Sequence, residues 1–189
     1  MKNYVTPLWL LFFSILLSAT NMFFGGGIMS TVMQLVGGIF GIMAIVQLSS
    51  RNDRLEKAKK YMIAVFITLL VILLSFIGFV GWLIATVSII GALAMLVLGI
   101  MANFQQLYGL AEMSDEAGEA AHAQQLRQFF KLTIIVAIVA AVLSVIASSA
   151  GAPTLILIGS ILTGALTIYQ LYLYYRSICI EKIYEDSQK

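Results

Sequence analysis

Three long stretches of the chain contain no charged side chain. They cover residues 3–50, 61–111 and 132–175, which are 48, 51 and 44 residues long. One α-helix needs roughly 20 apolar residues to cross the hydrocarbon core of a bilayer, so each stretch can hold two crossings and a tight turn. We therefore predict an all-α integral membrane protein with six transmembrane helices, arranged as three tandem helical hairpins.

Composition favours helices over a closed β-barrel. Hydrophobic residues make up 61% of the 189-residue chain and charged residues only 11%. Barrel strands alternate apolar and polar residues, whereas residues 62–74 are almost wholly apolar. Glycine and proline, which interrupt helices, lie near the middle of each uncharged stretch, at residues 24–27, 78–81 and 149–153. These segments are predicted to form the hairpin turns.

The prediction places the whole chain, residues 1–189, in a single membrane domain. Its parts are hairpin 1 at residues 3–50, hairpin 2 at 61–104, hairpin 3 at 130–176, connections at 51–60 and 105–130, and a tail at 177–189.

All eleven lysine and arginine residues fall on one side of this topology. They are Lys2, Arg51, Arg54, Lys57, Lys59, Lys60, Arg127, Lys131, Arg176, Lys182 and Lys189. Loops rich in lysine and arginine stay in the cytoplasm, so both termini are predicted to be cytoplasmic and the three turns external. We expect a multi-pass protein of the cell membrane, meaning an inner or plasma membrane.

A cleaved signal peptide is an alternative interpretation of residues 1–20. Lys2 precedes an apolar run at residues 8–17 and small residues at 18–20, which is the general pattern of such a peptide. Removing this segment would break the first hairpin and leave an odd number of helices.

The second helix of each hairpin ends in a related segment. The three copies lie at residues 41–47, 99–105 and 164–170, each beginning with glycine and ending with glutamine. Because each copy belongs to a unit that crosses the membrane twice, successive units have the same orientation. This tandem repeat predicts a pseudo-threefold axis along the membrane normal.

The repeat supplies the candidate functional residues. Small residues recur three positions apart and are candidates for close helix packing: Gly41, Ala44, Gly99, Ala102, Gly164 and Thr167. The closing glutamines, Gln47, Gln105 and Gln170, are candidates for a polar ring near the cytoplasmic boundary. Interfacial glutamines are also often simply solvated or bonded between helices.

The sequence offers little material for catalysis. No Asp, Glu, Lys, Arg or His lies within a predicted span, which argues against a proton relay or voltage sensor. The single histidine, His122, is predicted to be a solvated helical residue, and the single cysteine, Cys179, an interfacial thiol. We expect no cofactor, no metal site and no enzymatic activity.

The two connections carry the charges that could meet a partner. Residues 51–60 are predicted to be helical, with basic residues that set the topology and attract anionic lipid. Within residues 105–130, Ser114 is predicted to cap the start of an interfacial helix, on which a protein partner could dock.

Two functions remain open from the sequence. The first is a non-enzymatic accessory or structural subunit of a membrane assembly, whose partners are the lipid bilayer and a membrane or cytoplasmic protein, without nucleic acid. The second is a facilitator or channel for a neutral or lipophilic small molecule, lined by groups such as Asn103 and Ser144. An enzyme acting on lipid is a third and weaker possibility.

Overall fold

The protein is helical throughout the part of the chain that the structure describes. A computed structural model describes residues 3–19, 28–78, 81–150 and 152–188. These residues form six helices: α1 (Val5–Ser18), α2 (Ile28–Leu48), α3 (Asp53–Gly78), α4 (Gly81–Glu116), α5 (Ala120–Ala150) and α6 (Pro153–Ser187).

The helix boundaries follow the helix-breaking residues of the sequence. Helix α3 ends at Gly78 and α4 begins at Gly81. Helix α6 begins at Pro153, where the fixed φ of proline suits the first helical turn and its missing N–H costs no hydrogen bond. The predicted turn at residues 24–27 lies outside the described residues, as do residues 79–80 and 151 of the other two turns.

Three of the described helices are long and apolar enough to cross a membrane. They are Thr86–Glu116 within α4, Ala120–Ser149 within α5 and Thr154–Ser187 within α6, with 31, 30 and 34 residues. The apolar segments Val5–Ser18 and Val32–Leu48 are shorter. The described part of the chain is therefore all-helical and includes three helices that could span a membrane, while six spans remain a prediction.

Helices that follow one another in the chain also pack against one another. The most extensive contacts lie within the pairs α1–α2, α3–α4 and α5–α6. Helix α4 also packs against α5, α2 touches α3, and α6 returns to α1. Each helix thus has two main neighbours, and the chain's last helix lies beside its first.

The tight core lies at the end of the helices that carries the charges. Fully buried side chains from α2 to α6 meet there, among them Leu48, Leu55, Leu107, Leu126 and Leu173. The apolar windows of α4, α5 and α6 bury only 11%, 6% and 6% of their residues. Lipid solvates exposed apolar side chains as well as a protein interior does, so a membrane helix can remain uncovered.

The predicted connection at residues 105–130 is almost entirely helix. Helix α4 continues to Glu116, and α5 begins at Ala120 after a turn in which Gly118 has a φ of 84°. Ser114 is therefore inside α4, where its hydroxyl donates to the carbonyl of Leu110 at 3.0 Å. The prediction that Ser114 caps a helix start is wrong, because α4 keeps its backbone hydrogen bonds through this position. The predicted tail is also helical as far as Ser187.

Candidate functional sites at the charged end and between the apolar helices

Arg51 is the centre of a cluster that joins both ends of the chain. Its Nη2 atom lies 2.8 Å from Glu116 and its Nε atom 3.8 Å from Glu181. Its guanidinium lies over the rings of Tyr4 and Tyr184, at 5.5 and 5.6 Å from their centroids. The Nε and Nη2 atoms make no hydrogen bond of good geometry among the described residues, so the attraction here is mainly between charges and π faces.

Glu181 is the buried member of this cluster. It belongs to the last turns of α6, beyond the uncharged stretch that ends at residue 175, and only 3% of its surface is exposed. Burial raises the pKa of its carboxyl group, while the positive charge of Arg51 opposes the shift. Keeping this carboxylate charged in a buried position therefore costs free energy, and the nearby guanidinium of Arg51 offsets part of that cost.

A second arginine fixes α3 against α4. Arg54 forms an ion pair with Glu112, and its guanidinium lies 5.4 Å from the ring centroid of Tyr108. Nearby, the Asn52 side chain donates to the carbonyl of Gly109 at 2.9 Å. A Cβ at Gly109 would lie 2.7 Å from the side chain of Leu55, so glycine is what permits this close approach of the helices.

Ion pairs also hold the turn between α4 and α5. Arg127 pairs with Asp115 across the turn. Arg176 of α6 lies 3.7 Å from Glu119 and donates to Gln125 at 3.2 Å. These contacts attach the α4–α5 turn to α6. In contrast, the pair of Glu56 and Lys60 is solvent-exposed; its hydrogen bond and charges lower the pKa of Glu56 and raise that of Lys60.

His122 is buried, which contradicts its prediction as a solvated residue. None of its surface is exposed, and its Nε2 atom lies 2.9 Å from the hydroxyl of Ser177. That hydroxyl in turn donates to the carbonyl of Leu173 at 3.1 Å. The prediction is wrong because α6 extends past the apolar stretch and covers the first turn of α5, a tertiary contact that local sequence does not indicate.

The three candidate glutamines have three different environments. Gln47 is exposed, and Gln105 is buried with a carbonyl oxygen that has no hydrogen-bond partner among the described residues. Gln170 is half-buried, and its amide lies 3.4 Å from the hydroxyl of Tyr174. That hydroxyl also accepts a 2.6 Å hydrogen bond from Gln106, which is the closer amide partner. A ring of Gln47, Gln105 and Gln170 remains a prediction.

The candidate packing residues also differ between the three copies. In α2, Ala44 is fully buried, and a Cβ at Gly41 would lie 2.8 Å from the hydroxyl of Ser14 in α1. In α4 and α6, a Cβ at Gly99 or Gly164 would meet nothing within 4 Å. The second and third copies therefore line open space in the described structure, together with their partners Ala102 and Thr167.

The larger open space, which we call the hydroxyl cavity, has a volume of about 890 Å³ and lies between α1, α5 and α6. Most of its polar lining comes from α6, where Gly159, Ser160, Thr163, Gly164 and Thr167 contribute. The hydroxyls of Ser160, Thr163 and Thr167 donate to carbonyls of their own helix at 2.9–3.0 Å. The α6 face presented to the cavity thus combines isoleucine and leucine side chains with small residues whose hydroxyl donors are already used.

The second space, which we call the amide cavity, has a volume of about 640 Å³ and lies between α2, α3 and α4. Its lining is mainly apolar but includes three side-chain amides, those of Gln34, Asn103 and Gln106. The sequence suggested Asn103 as a polar lining group, but not Gln34 or Gln106. Gln34 is an amide near the start of α2 with apolar neighbours on both sides, which is the signal that could have found it.

The described residues contain no group of three or more His, Cys, Asp or Glu side chains that could hold a metal ion. No family model matches the chain, and no curated protein or solved structure matches it either.

Proposed function

We propose that the chain is a non-enzymatic subunit of a membrane assembly, embedded in an inner or plasma membrane. The observation that carries this proposal is the hydroxyl cavity, where small residues of α6 lie open between apolar side chains. Helices associate in lipid through close packing of such residues, and Ser160 and Gly164 have the spacing of four that lets another backbone approach. The face fits a helix from another subunit.

The state of the polar groups supports a role without catalysis. The α6 hydroxyls that line the hydroxyl cavity, those of Ser160, Thr163 and Thr167, donate to carbonyls of their own helix and not to a neighbouring base. At the charged end, Arg51, Arg54, Arg127 and Arg176 are each engaged with a carboxylate. Such pairs hold helix ends together and set the shape presented to a cytoplasmic partner.

We further propose six spans in three tandem hairpins, with both termini in the cytoplasm. The breaks at Gly78 and Pro153 and the close pairing of consecutive helices support this topology. Reporter fusions at Gly26, Gly78 and Gly151 should all give an external signal, and fusions after Lys60 and Glu116 a cytoplasmic one. A cytoplasmic signal at any of the three glycines would overturn the topology.

The test of the subunit role is purification after mild detergent extraction, followed by mass spectrometry. We expect a stoichiometric protein partner with the unmodified chain. Gly164→Leu should remove most of that partner, because a Cβ at this position meets nothing within 4 Å and the added side chain would occupy the open face. Ala137→Leu, which adds similar bulk at an exposed site on α5, is the matched control. A chain that purifies alone would reject the role.

A facilitator of neutral or lipophilic molecules is the second candidate function, and the amide cavity favours it. Side-chain amides in an apolar lining can orient a molecule without charge. Proteoliposomes containing NBD-labelled diacylglycerol should then show faster exchange between leaflets than protein-free liposomes. Equal rates would reject this candidate.

A further inference from the structure

The amide cavity has the composition of a binding site for an uncharged molecule. Its walls are apolar side chains such as Leu35, Ile39 and Phe66, and its lining contains no charged group. Its volume of about 640 Å³ lies within the range of small-molecule pockets. We propose that it binds a neutral lipophile that carries a hydroxyl or carbonyl group at its polar end.

The side-chain amides specify the polar end of this ligand. Asn103 is half-buried and makes no side-chain hydrogen bond among the described residues. Gln106 uses its N–H on the hydroxyl of Tyr174, which leaves its carbonyl oxygen as an acceptor. Unpaired amides in an apolar medium are costly, and an amide can both donate and accept. A hydroxyl or carbonyl satisfies them, whereas an ionised headgroup would find no opposite charge in the cavity.

The structure also gives this ligand a route from the bilayer. Among helices adjacent in the chain, α2 and α3 make the least extensive contact. On either side of that opening, Leu35 and Ile39 of α2 are 62% and 57% exposed, and Phe66 of α3 is 47% exposed. A lipophile dissolved in the membrane can therefore reach the cavity sideways. The inference rests on the proposed placement in the membrane but not on the subunit role.

The first test measures occupancy with a defined probe. The purified full-length chain, in phosphatidylcholine nanodiscs, is exposed to a diazirine-bearing hexadecanol, and the labelled peptides are mapped. We expect saturable labelling on α2, α3 and α4 that unlabelled hexadecanol displaces. Gly99→Leu, whose side chain would fill the cavity, should reduce labelling at least fivefold. Ala92→Leu adds bulk at an exposed site on the same helix and should not.

The second test isolates the hydrogen-bonding contribution. Asn103→Leu should raise the concentration of hexadecanol needed for half-displacement about tenfold, the value expected for one lost hydrogen bond to a partly buried amide. Displacement by hexadecane, which has no polar end, should be weak with both proteins. Gln47→Leu removes an exposed amide outside the cavity and is the control.

Three results would overturn the inference. They are labelling spread evenly over all lipid-facing helices, labelling that Gly99→Leu leaves unchanged, and equal displacement by hexadecanol and hexadecane. Because the test uses the isolated chain, a missing protein partner would not affect it. Failure of the membrane topology would be seen separately in the reporter fusions.

Discussion

The Nε atom of Arg51 lies 3.8 Å from a carboxylate oxygen of Glu181, and this contact joins the α2–α3 connection to the last turns of α6. The backbone N–H of Tyr4, just before α1, donates to Glu185 one turn further along α6 at 2.6 Å. The beginning, the middle and the end of the chain are thus tied together at the charged end. Away from the charged end, cavities lie between the helices and many of their apolar side chains are exposed.

Replacing the central arginine should loosen this end of the molecule. Arg51→Gln leaves the buried carboxylate of Glu181 without its nearby positive charge, and we expect a loss of about 2 kcal/mol in the free energy of unfolding. Equilibrium unfolding in mixed micelles containing sodium dodecyl sulfate measures this loss. Lys60→Gln breaks an ion pair whose side chains are 67% and 46% exposed, and should have no measurable effect. An equal response from both variants would contradict the prediction.

The same carboxyl group predicts a dependence of stability on pH. The pKa of Glu181 is raised in the folded protein, so the folded state binds its proton more tightly than the unfolded state does. The contribution of Glu181 to stability is therefore fully present below its ordinary pKa of 4.5 and is lost as the pH rises through the higher folded value. The Glu181→Gln variant has no carboxyl group at this position, so it lacks this pH dependence.

The measurement is the difference in free energy of unfolding between the unmodified chain and Glu181→Gln as the pH rises from 4. We expect the unmodified chain to lose stability relative to the variant. In an Arg51→Gln background the variant should recover part of the lost stability, because no buried charge is then left without a partner. A difference that stays constant with pH would count against the raised pKa.

The helical class was predictable from the sequence because its signal is local. Long uncharged runs and the breaks at Gly78, Gly81 and Pro153 depend on a residue and its chain neighbours, and the described helix boundaries agree with them. The number of spans does not follow from such a local signal, since α1 has only 14 residues in the described structure, fewer than the roughly 20 that one crossing needs. Residues 20–27, which would extend the first hairpin, lie outside the described part.

The environments of single polar residues were not predictable, because they depend on distant helices. His122 lies among alanines and charged residues, a pattern typical of an exposed helix, yet Ser177 of α6 covers it. Arg51 was expected to orient the chain in the membrane, but its contacts come from α4, α6 and the residue before α1. The apolar neighbours of Gln34 mark it as an unusual polar residue, but they do not indicate that three helices leave a cavity beside it.

The turn between α4 and α5 should be sensitive to its single left-handed residue. Gly118 has a φ of 84°, and a Cβ there would meet nothing within 4 Å, so the cost of a side chain is purely conformational. We expect Gly118→Ala to lower the free energy of unfolding by about 1 kcal/mol. Gly118→Asn, which tolerates this conformation better, should cost less. The prediction fails if both variants are as stable as the unmodified chain.

The packing of α1 against α2 should depend more on Gly37 than on Gly41, which lies one turn further along α2. A Cβ at Gly37 would lie 2.8 Å from the backbone oxygen of Ser14, which cannot move without shifting α1. A Cβ at Gly41 would instead meet the hydroxyl of Ser14 at 2.8 Å, and a side chain can rotate away. We expect Gly37→Ala to destabilise the protein by about 1–3 kcal/mol, the usual cost of overpacking, and Gly41→Ala by less.

Two further variants separate the clash from the higher helix propensity of alanine. Gly38→Ala places a Cβ where nothing lies within 4 Å, so it should leave stability unchanged or raise it. Ser14→Ala removes the hydroxyl but not the backbone oxygen, and should therefore rescue Gly41→Ala but not Gly37→Ala. Unfolding in the same mixed micelles gives all the values. Rescue of Gly37→Ala by Ser14→Ala would show that the backbone of α1 is not what limits the approach of the two helices.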